Sequence, residues 1–399
     1  MTDKQVENLI KPLIKRQRLA ELDTIRRFGE VIKEIGEAEP RDSASLFKMH
    51  ESKIKGRDLQ RHIEDLIALQ LLEVSVILSL TAEDIYANSR DLYEYKKLPF
   101  LEYQNNTGIK SVVSKTTKNV LDLFNKIFAF PGFIIRDLRN PENLVPMTIS
   151  DTYNTLVDEC LQTVQNPKLD YDTVMRRTEN QLIDSGLNSI YYDSDGKVHV
   201  QDLESAVKNN ILDGVKLVEQ DVSDEIGRQV GSDGVELSAH QFSAPDHEPF
   251  QGHQFTNENW ERIQSSQDFE DINGQSFAGV ERIIGVWNCR HYAWPIIIGE
   301  TKPRYTQSQL DSFIEQNNIG YDLPNGKHLT MYECTQRQRR YENQIRDDKM
   351  GLYFAKTVGD KQLQEKYKAK IANHTDLYTA FSEDCGLPIM RENIEIVTK

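Results

Sequence analysis

The sequence predicts an α+β protein with a mainly helical N-terminal region, 1–186, and a smaller α+β domain, 187–399. Two observations lead to this prediction. Apolar residues recur at spacings of three and four along much of the first 186 residues, which is typical of amphipathic helices. After residue 186, short apolar runs alternate with Gly-containing turns, which favours strands. With 399 residues the chain is long enough for two or three domains with their own cores.

The N-terminal region is predicted to consist of long helices. The apolar pattern from Val6 to Ile35 indicates one helix with Pro12 near its start, and 36–45 interrupts it. The helical period resumes over Arg57–Tyr95, as one helix or a helical hairpin. Further helical patterns cover 115–128, 150–164 and 171–183. The aromatic run Phe128, Phe130 and Phe133 around Pro131-Gly132 predicts a tight turn.

The second region begins with a β-hairpin signature. Ile190–Tyr192 and Val198–Val200 are short apolar runs around a turn that contains Gly196. A helix is predicted over 202–229, followed by a short strand at Val235–Leu237. Residues 238–295 are rich in His and Trp and poor in helical pattern. Closing helices are predicted within 331–382, as 331–349 and 360–382, and the last element is a short strand at 394–397.

The net charge of −15 is concentrated in the middle of the chain. Residues 141–275 hold 8 Lys/Arg against 26 Asp/Glu, a sum of −18, whereas 1–140 sum to +2 and 276–399 to +1. The acidic middle is expected to be repelled from nucleic acid. If DNA is contacted at all, the contact is expected through 11–18 or 337–346, although basic residues on solvated helix faces are the more common origin of such patterns. The basic residues concerned are Lys11, Lys15, Arg16, Arg18, Arg337, Arg339, Arg340 and Arg346.

Other features exclude several classes of protein. The N-terminus lacks the apolar core and cleavage site of a signal peptide. The most apolar run, 66–80, contains Glu73 and is shorter than the roughly 20 residues that a membrane span needs, so no membrane contact is predicted. The four cysteines are far apart and form no CxxC pair, which favours a reducing compartment.

Two fragments, 238–255 and 287–295, concentrate residues that can bind a metal or form hydrogen bonds. Cys289 and His291 are two residues apart, so on a strand both side chains would share a face. His240, His247, Cys289 and His291 could then form a metal shell. The other interpretation is that these side chains hold irregular loops together by hydrogen bonds. This second interpretation is favoured because the spacing matches no known zinc ribbon, so no metal and no cofactor are predicted.

The ordered motifs of the second region resemble the phage minor capsid protein family, of the minor capsid protein 2 type, which is related to the minor head protein of phage Mu. The resemblance includes the Gln336-x-Gln338-Arg339 pattern and the helices after it. For this chain, the resemblance implies a site that is a structural motif without catalytic residues. The motif consists of Ser238, His240, Pro245, His247, Gln251, Gly252, Asn288, Cys289, Arg290 and His291.

The resemblance implies a virion protein with no enzymatic turnover. It would lie inside the head or at the portal vertex, after assembly in the host cytoplasm, and would assist head assembly, DNA packaging or ejection. The portal protein, the major capsid protein or both would be its partners, contacted through 1–186. The resemblance also implies an ADP-ribosyltransferase-like fold for the second region.

Two enzymatic alternatives are weaker. An ADP-ribosyltransferase would need a placed glutamate pair, but the Glu-x-Glu of this chain, Glu37 and Glu39, falls in an interhelical linker. A metal-dependent nuclease or peptidase would use the cluster of His240, His247, Cys289 and His291. An HExxH motif is missing there because Pro249 follows His247-Glu248 and no second histidine is correctly spaced.

Overall fold

The computed structural model describes residues 3–37, 43–127, 131–136, 144–155, 182, 185–192, 195–285, 289 and 291–396. Helix makes up 63% of the structure and the sheets are small and antiparallel. The predicted α+β class is therefore confirmed.

The helices of the described ranges include several that span more than twenty residues. They are α1 (Asp3–Glu37), α2 (Ser43–Ala87), α3 (Arg90–Tyr95), α4 (Thr107–Ile127), α5 (Leu203–Val230), α6 (Asn257–Gln264), α7 (Gln307–Ile319), α8 (Met331–Val358), α9 (Lys361–Asp384) and α10 (Arg391–Ile394).

The strands of the described residues form four separate sheets. The largest has the order β2-β1-β3-β4, with β1 (Pro131–Arg136), β2 (Leu144–Thr148), β3 (Asn188–Tyr192) and β4 (Val198–Asp202). A second sheet has the order β6-β5-β9 and consists of β5 (Gly234–Leu237), β6 (Gln254–Thr256) and β9 (Ala293–Ile296). The remaining pairs are β7 (Phe269–Glu270) with β8 (Ser276–Phe277), and β10 (Tyr321–Asp322) with β11 (His328–Leu329).

The chain divides into two compact units. The first unit contains Met1–Leu9, Leu72–Leu123 and Asn209–Arg337, and the second contains Ile10–Leu71, Phe124–Lys208 and Gln338–Lys399. The two units are defined only by how compactly their residues pack. The predicted division into a partner-binding region, 1–186, and a minor-head-protein domain, 187–399, is a functional one and stays a prediction.

Several predicted elements are confirmed. The period-3.6 pattern of 6–35 forms α1, where Ile10, Leu13 and Phe28 are buried. In the hairpin, β3 and β4 pair with Ile190 opposite Val200, and Gly196 adopts a φ of +78°. The predicted helix at 202–229 is α5, and the predicted closing helices are α8 and α9. The Asp360 side chain caps α9 by accepting a hydrogen bond from the Leu363 N–H at 2.9 Å.

Two local predictions are wrong. Pro131-Gly132 does not form a turn but begins β1, where a Cβ on Gly132 would lie 2.0 Å from the carbonyl oxygen of Met147 on the paired strand. The glycine therefore permits close pairing of β1 with β2. The strand predicted at 394–397 is also wrong over its described residues, 394–396, because α10 ends at Ile394 and no strand follows it there. The Asn393 carbonyl accepts a hydrogen bond from Arg346 at 2.7 Å.

Parts of other predictions lie outside the described residues. These are Phe128, Phe130, the turn residues 193–194, most of the predicted helices 150–164 and 171–183, and residues 38–42 of the break predicted at 36–45. The described residues of that break are helical, because 36–37 end α1 and 43–45 begin α2. Within the described ranges, residues 149–155 are helical. Phe133 is buried and contacts Phe28 edge-to-face, with ring centroids 5.2 Å apart.

One helical stretch, Asp58–Tyr95, is long and apolar enough to cross a membrane by length and composition. Its most apolar window of 18 residues has a mean hydropathy of 1.7. The prediction that no stretch meets this standard, which rests on the run 66–80, is wrong in length and composition. Less than half of the window, 41%, is buried inside the protein, and the buried residues Ile67, Val74 and Leu78 follow the helical period, so one face of the helix packs on the core.

A buried charge cluster occupies the second unit. Glu204 receives two hydrogen bonds from Arg18, at 2.6 and 2.7 Å, and Arg346 lies 3.7 Å from the same carboxylate. Glu21 is also buried there and accepts a hydrogen bond from Gln17 at 3.3 Å. Burial raises the pKa of Glu21 well above its ordinary value, and the charges of Asp202 and Glu204 raise it further.

The Glu21→Gln variant is expected to be more stable than the wild type at high pH. A raised pKa means that the fold disfavours the ionised Glu21 carboxylate. The loss of stability that this causes therefore grows as pH rises above the ordinary pKa of 4.5. Removing the charge should increase the free energy of unfolding by about 1–2 kcal/mol at about pH 8. The gain should disappear near the ordinary pKa. Urea denaturation at both pH values measures it.

Glu64→Gln provides the matched control. Glu64 also accepts a hydrogen bond from a glutamine four residues earlier, Gln60, but this pair is exposed. The control should change stability little at either pH. A gain for Glu21→Gln that does not depend on pH would contradict the explanation.

Candidate functional site

The site is built on the three-stranded sheet of β5, β6 and β9 in the first unit. β5 is the central strand, with Glu236 opposite Gln254 on one side and Trp294 on the other. All four of its residues are buried. The Glu236 carboxylate accepts hydrogen bonds from the Gln254 side chain at 2.8 Å and from the Arg304 N–H at 3.0 Å. Burial raises its pKa.

An aromatic core supports one side of the site. Phe250, Phe255, Phe269 and the half-buried Phe277 pack against one another with ring centroids 5.2–6.0 Å apart. Cys289 belongs to this same hydrophobic cluster. The cysteine is therefore held in an apolar environment with little access to water.

Backbone hydrogen bonds close the loop between β5 and β6 at its base. The Leu237 N–H donates to the His253 carbonyl at 3.0 Å, and the Gly252 N–H donates to the Leu237 carbonyl at 3.1 Å. Ser238 joins this loop to the segment before β9: its N–H donates to the Tyr292 carbonyl at 2.9 Å, and its hydroxyl accepts from the Tyr292 N–H at 3.0 Å. The loop and residues 289–292 are thus fixed next to each other.

A turn within the loop positions His247. The carbonyl of Ala244 accepts the His247 N–H at 3.0 Å, and Pro245 occupies the second position of this turn, where its fixed φ is suitable. The neighbouring Asp246 accepts two hydrogen bonds from Arg282, at 3.0 and 3.1 Å. These contacts direct the His247 ring towards the interior.

His247, Cys289 and His291 converge, and their potential ligand atoms all lie within 4.8 Å of one another. The Cys289 Sγ is 3.5 Å from the Nδ1 of His247 and 3.7 Å from the Nδ1 of His291. All three side chains are buried, with residue exposures of 0% for His247, 5% for Cys289 and 2% for His291.

The outer nitrogens of both imidazoles have oxygen partners. The His247 Nε2 lies 2.6 Å from the Arg282 carbonyl. The His291 Nε2 lies 3.2 Å from the Gln251 Oε1 and 3.4 Å from the Ser243 hydroxyl. Because carbonyl and amide oxygens only accept, both Nε2 atoms carry the proton. The Nδ1 atoms that face Cys289 are therefore unprotonated acceptors.

The electrostatics keep the cluster uncharged in the absence of a bound ion. Burial lowers the pKa of His291 well below its ordinary value, and the neighbouring imidazoles together with Lys216 and Arg282 lower it further. Burial also lowers the pKa of His247 and raises that of the Cys289 thiol. A nucleophilic cysteine needs the opposite shift and access to a substrate, so Cys-His nucleophilic catalysis does not fit this site.

His240 lies beside the cluster without contributing a ligand atom to it. Its ring stacks on that of His291 at a centroid distance of 4.5 Å, and its Nδ1 contacts the Gln241 carbonyl at 3.1 Å. Its backbone N–H donates to the Gln251 Oε1 at 3.0 Å. His253 is separate from the cluster, because it contacts the Asp271 carboxylate at 2.9 Å.

The structure therefore brings together eight of the ten motif residues in one loop region. Asn288 and Arg290 lie outside the described residues. Sequence reasoning missed Ser243 and Arg282, whose oxygen atoms contact the outer nitrogens of His291 and His247. No local pattern identifies these two residues, because the fold brings them to the imidazoles from distant positions in the sequence.

Comparison with known proteins agrees with the resemblance seen in the motifs. A family model described as phage minor capsid protein 2 matches residues 1–382. Searches of curated proteins and of solved structures found no match. The family match covers nearly the whole sequence and includes every residue of the site. The chain therefore belongs to the phage minor capsid protein 2 family.

Proposed function

We propose that this chain is a structural protein of a tailed-phage head, placed inside the head near the portal, where it assists assembly, DNA packaging or ejection. The observation that carries the proposal is the family match over residues 1–382. Membership of a capsid family supports a virion location and contacts with other virion proteins. It also suggests a protein without enzymatic turnover.

The proposed partners are the portal protein, the major capsid protein or both. An apolar stripe on α2, formed by Leu72, Val76 and Leu80, supports a protein contact there. These side chains are four residues apart on one helix face and are 45–67% exposed. Exposed apolar residues that adjoin along a helix are typical of protein interfaces. The stripe falls within the proposed partner-binding region, 1–186.

Contact with packaged DNA is proposed for only some of the basic residues in 11–18 and 337–346. Arg18 and Arg346 belong to the charge cluster around Glu204, so their guanidinium groups already have a carboxylate partner. Lys11, Lys15 and Arg340 are exposed. Any phosphate contact through 11–18 or 337–346 therefore depends on the exposed residues of these segments.

No observation favours the ADP-ribosyltransferase alternative. Glu39 lies outside the described residues, and Glu37 is the last residue of α1. The ADP-ribosyltransferase-like fold of the second region therefore remains an expectation from the resemblance. The metal-dependent alternative lacks a carboxylate in the cluster, and once His247, Cys289 and His291 serve as ligands, none of them is left to act as a general base.

The proposal is tested by quantitative mass spectrometry of purified virions that were assembled with this chain. We expect the wild-type chain at a small, fixed number of copies relative to the portal protein. We expect Leu72→Glu to reduce incorporation several-fold, because a charge would be buried in the contact. Leu123→Glu is the matched control, since Leu123 is also an exposed leucine, at 45% against 67% for Leu72, and lies on α4.

The outcomes separate the two parts of the proposal. Absence of the wild-type chain from virions would overturn the structural role. Equal incorporation of the Leu72→Glu and wild-type chains would overturn the contact through the stripe. Flotation of the wild-type protein with lipid vesicles, abolished by Leu72→Glu, would assign the stripe to a lipid surface instead of a protein.

A further inference from the structure

We propose that His247, Cys289 and His291 bind one zinc ion, through the Nδ1 atoms of the two imidazoles and the sulfur of the cysteine. The proposal does not depend on the structural role in the virion. It rests on the distances within the cluster, on the tautomers of its histidines and on the oxygen partners of their outer nitrogens.

The distances fit a tetrahedral ion. Zinc–sulfur bonds of about 2.3 Å and zinc–nitrogen bonds of about 2.0–2.1 Å at tetrahedral angles place sulfur and nitrogen about 3.5 Å apart. The two Sγ–Nδ1 distances here are 3.5 and 3.7 Å. The third separation, between the two Nδ1 atoms, is within 4.8 Å. Small movements of the side chains would complete the shell.

The two Nδ1 atoms that face the Cys289 sulfur need more hydrogen-bond donors than the thiol supplies. Both Nδ1 atoms are acceptors, because both Nε2 atoms donate to oxygen. The Cys289 thiol has a single proton and can satisfy only one of these acceptors. The other would be a buried nitrogen without a donor, which is unfavourable. A cation satisfies both nitrogens and the sulfur at once.

The contacts around the cluster are those of a metal site. Ligating histidines usually donate their second N–H to a carbonyl or carboxylate, which fixes the ring orientation, and both histidines do so here.

The donor set selects the type of metal. One thiolate and two imidazoles suit zinc and other late transition metals, whereas magnesium and calcium prefer oxygen ligands. Three protein ligands leave a fourth position for water or another group. Because the ligands come from the loop after β5 and from the segment before β9, the ion would connect two irregular segments of the first unit.

Metal content of the full-length protein, expressed without a polyhistidine tag and purified under reducing conditions, tests the site. Elemental analysis after incubation with zinc and desalting should show about one zinc ion per chain. Cys289→Ser and His291→Ala should lose it. His240→Ala and Cys334→Ser are the matched controls, because His240 adjoins the cluster without a ligand atom in it and Cys334 is an equally buried thiol elsewhere.

Cobalt binding to the wild-type protein provides a readout that does not depend on any variant. Cobalt added to the metal-free wild-type protein should produce intense visible bands of tetrahedral geometry and a near-ultraviolet charge-transfer band from the thiolate. The His240→Ala and Cys334→Ser proteins should show the same spectrum. Less than about a tenth of an ion per chain in reconstituted wild-type protein would overturn the proposal. Full zinc content in Cys289→Ser would overturn it too.

Discussion

Replacing Glu204 by glutamine is expected to lower the free energy of unfolding by about 3–5 kcal/mol. The carboxylate is only 10% exposed and receives both hydrogen bonds of the Arg18 fork, at 2.6 and 2.7 Å. Arg346 lies 3.7 Å from it as well. Glutamine keeps the shape but removes the charge, so the poorly solvated Arg18 guanidinium would lose the carboxylate that accepts both of its hydrogen bonds. Urea denaturation at neutral pH measures the loss.

The exposed pair of Arg26 and Glu30 on α1 is the control for this effect. Its side chains are 38% and 49% exposed, so solvent screens their attraction. Glu30→Gln should cost less than about 1 kcal/mol. If Glu204→Gln cost equally little, the Arg18 guanidinium would not depend on Glu204, and it would again be available for a phosphate contact.

The same cluster shows what charge patterns in a sequence can predict. Lys/Arg spacing correctly marks 11–18 as basic, but Arg18 and its partner Glu204 are 186 positions apart. Only the fold brings them together. A count of charges in a window therefore overestimates the basic surface wherever a buried carboxylate from a distant segment neutralises an arginine.

The long helices and the hairpin could be predicted because their signals are local. Apolar spacing alone indicates α1 and α5, and two short apolar runs around Gly196 indicate β3 and β4. The segment 131–136 shows the limit of such reasoning. Pro-Gly usually indicates a turn, yet Gly132 lies in a strand because β2 approaches it too closely for a side chain. That requirement arises from pairing and has no local signature.

The site was only partly predictable for the same reason. The two-residue spacing of Cys289 and His291 suggested that their side chains share a face, and their Sγ and Nδ1 atoms are 3.7 Å apart. The choice of His247 over His240 or His253 could not be made from spacing. It depends on the turn at Pro245 and on Asp271, which holds His253 elsewhere. Nor could the sequence show that both ring tautomers direct an acceptor at one thiol.

Gly252→Ala is expected to destabilise the protein by about 2–4 kcal/mol. Gly252 adopts a φ of +75°, which costs a residue with a Cβ about 1–2 kcal/mol. The new Cβ would also lie 2.4 Å from a methyl group of the buried Leu310 and 3.3 Å from the Cβ of Ala239. Thermal and urea denaturation measure the loss.

Gly274→Ala separates the two causes of this loss. Gly274 has a φ of +82° and no heavy atom within 4 Å of the position that a Cβ would occupy. Its substitution should therefore show the backbone cost alone. The difference between the two variants measures the contact with Leu310, and Leu310→Ala should reduce the cost of Gly252→Ala when both are combined. If Gly252→Ala and Gly274→Ala cost the same, the Leu310 side chain moves aside freely. In that case backbone conformation alone explains the glycine at this position of the motif.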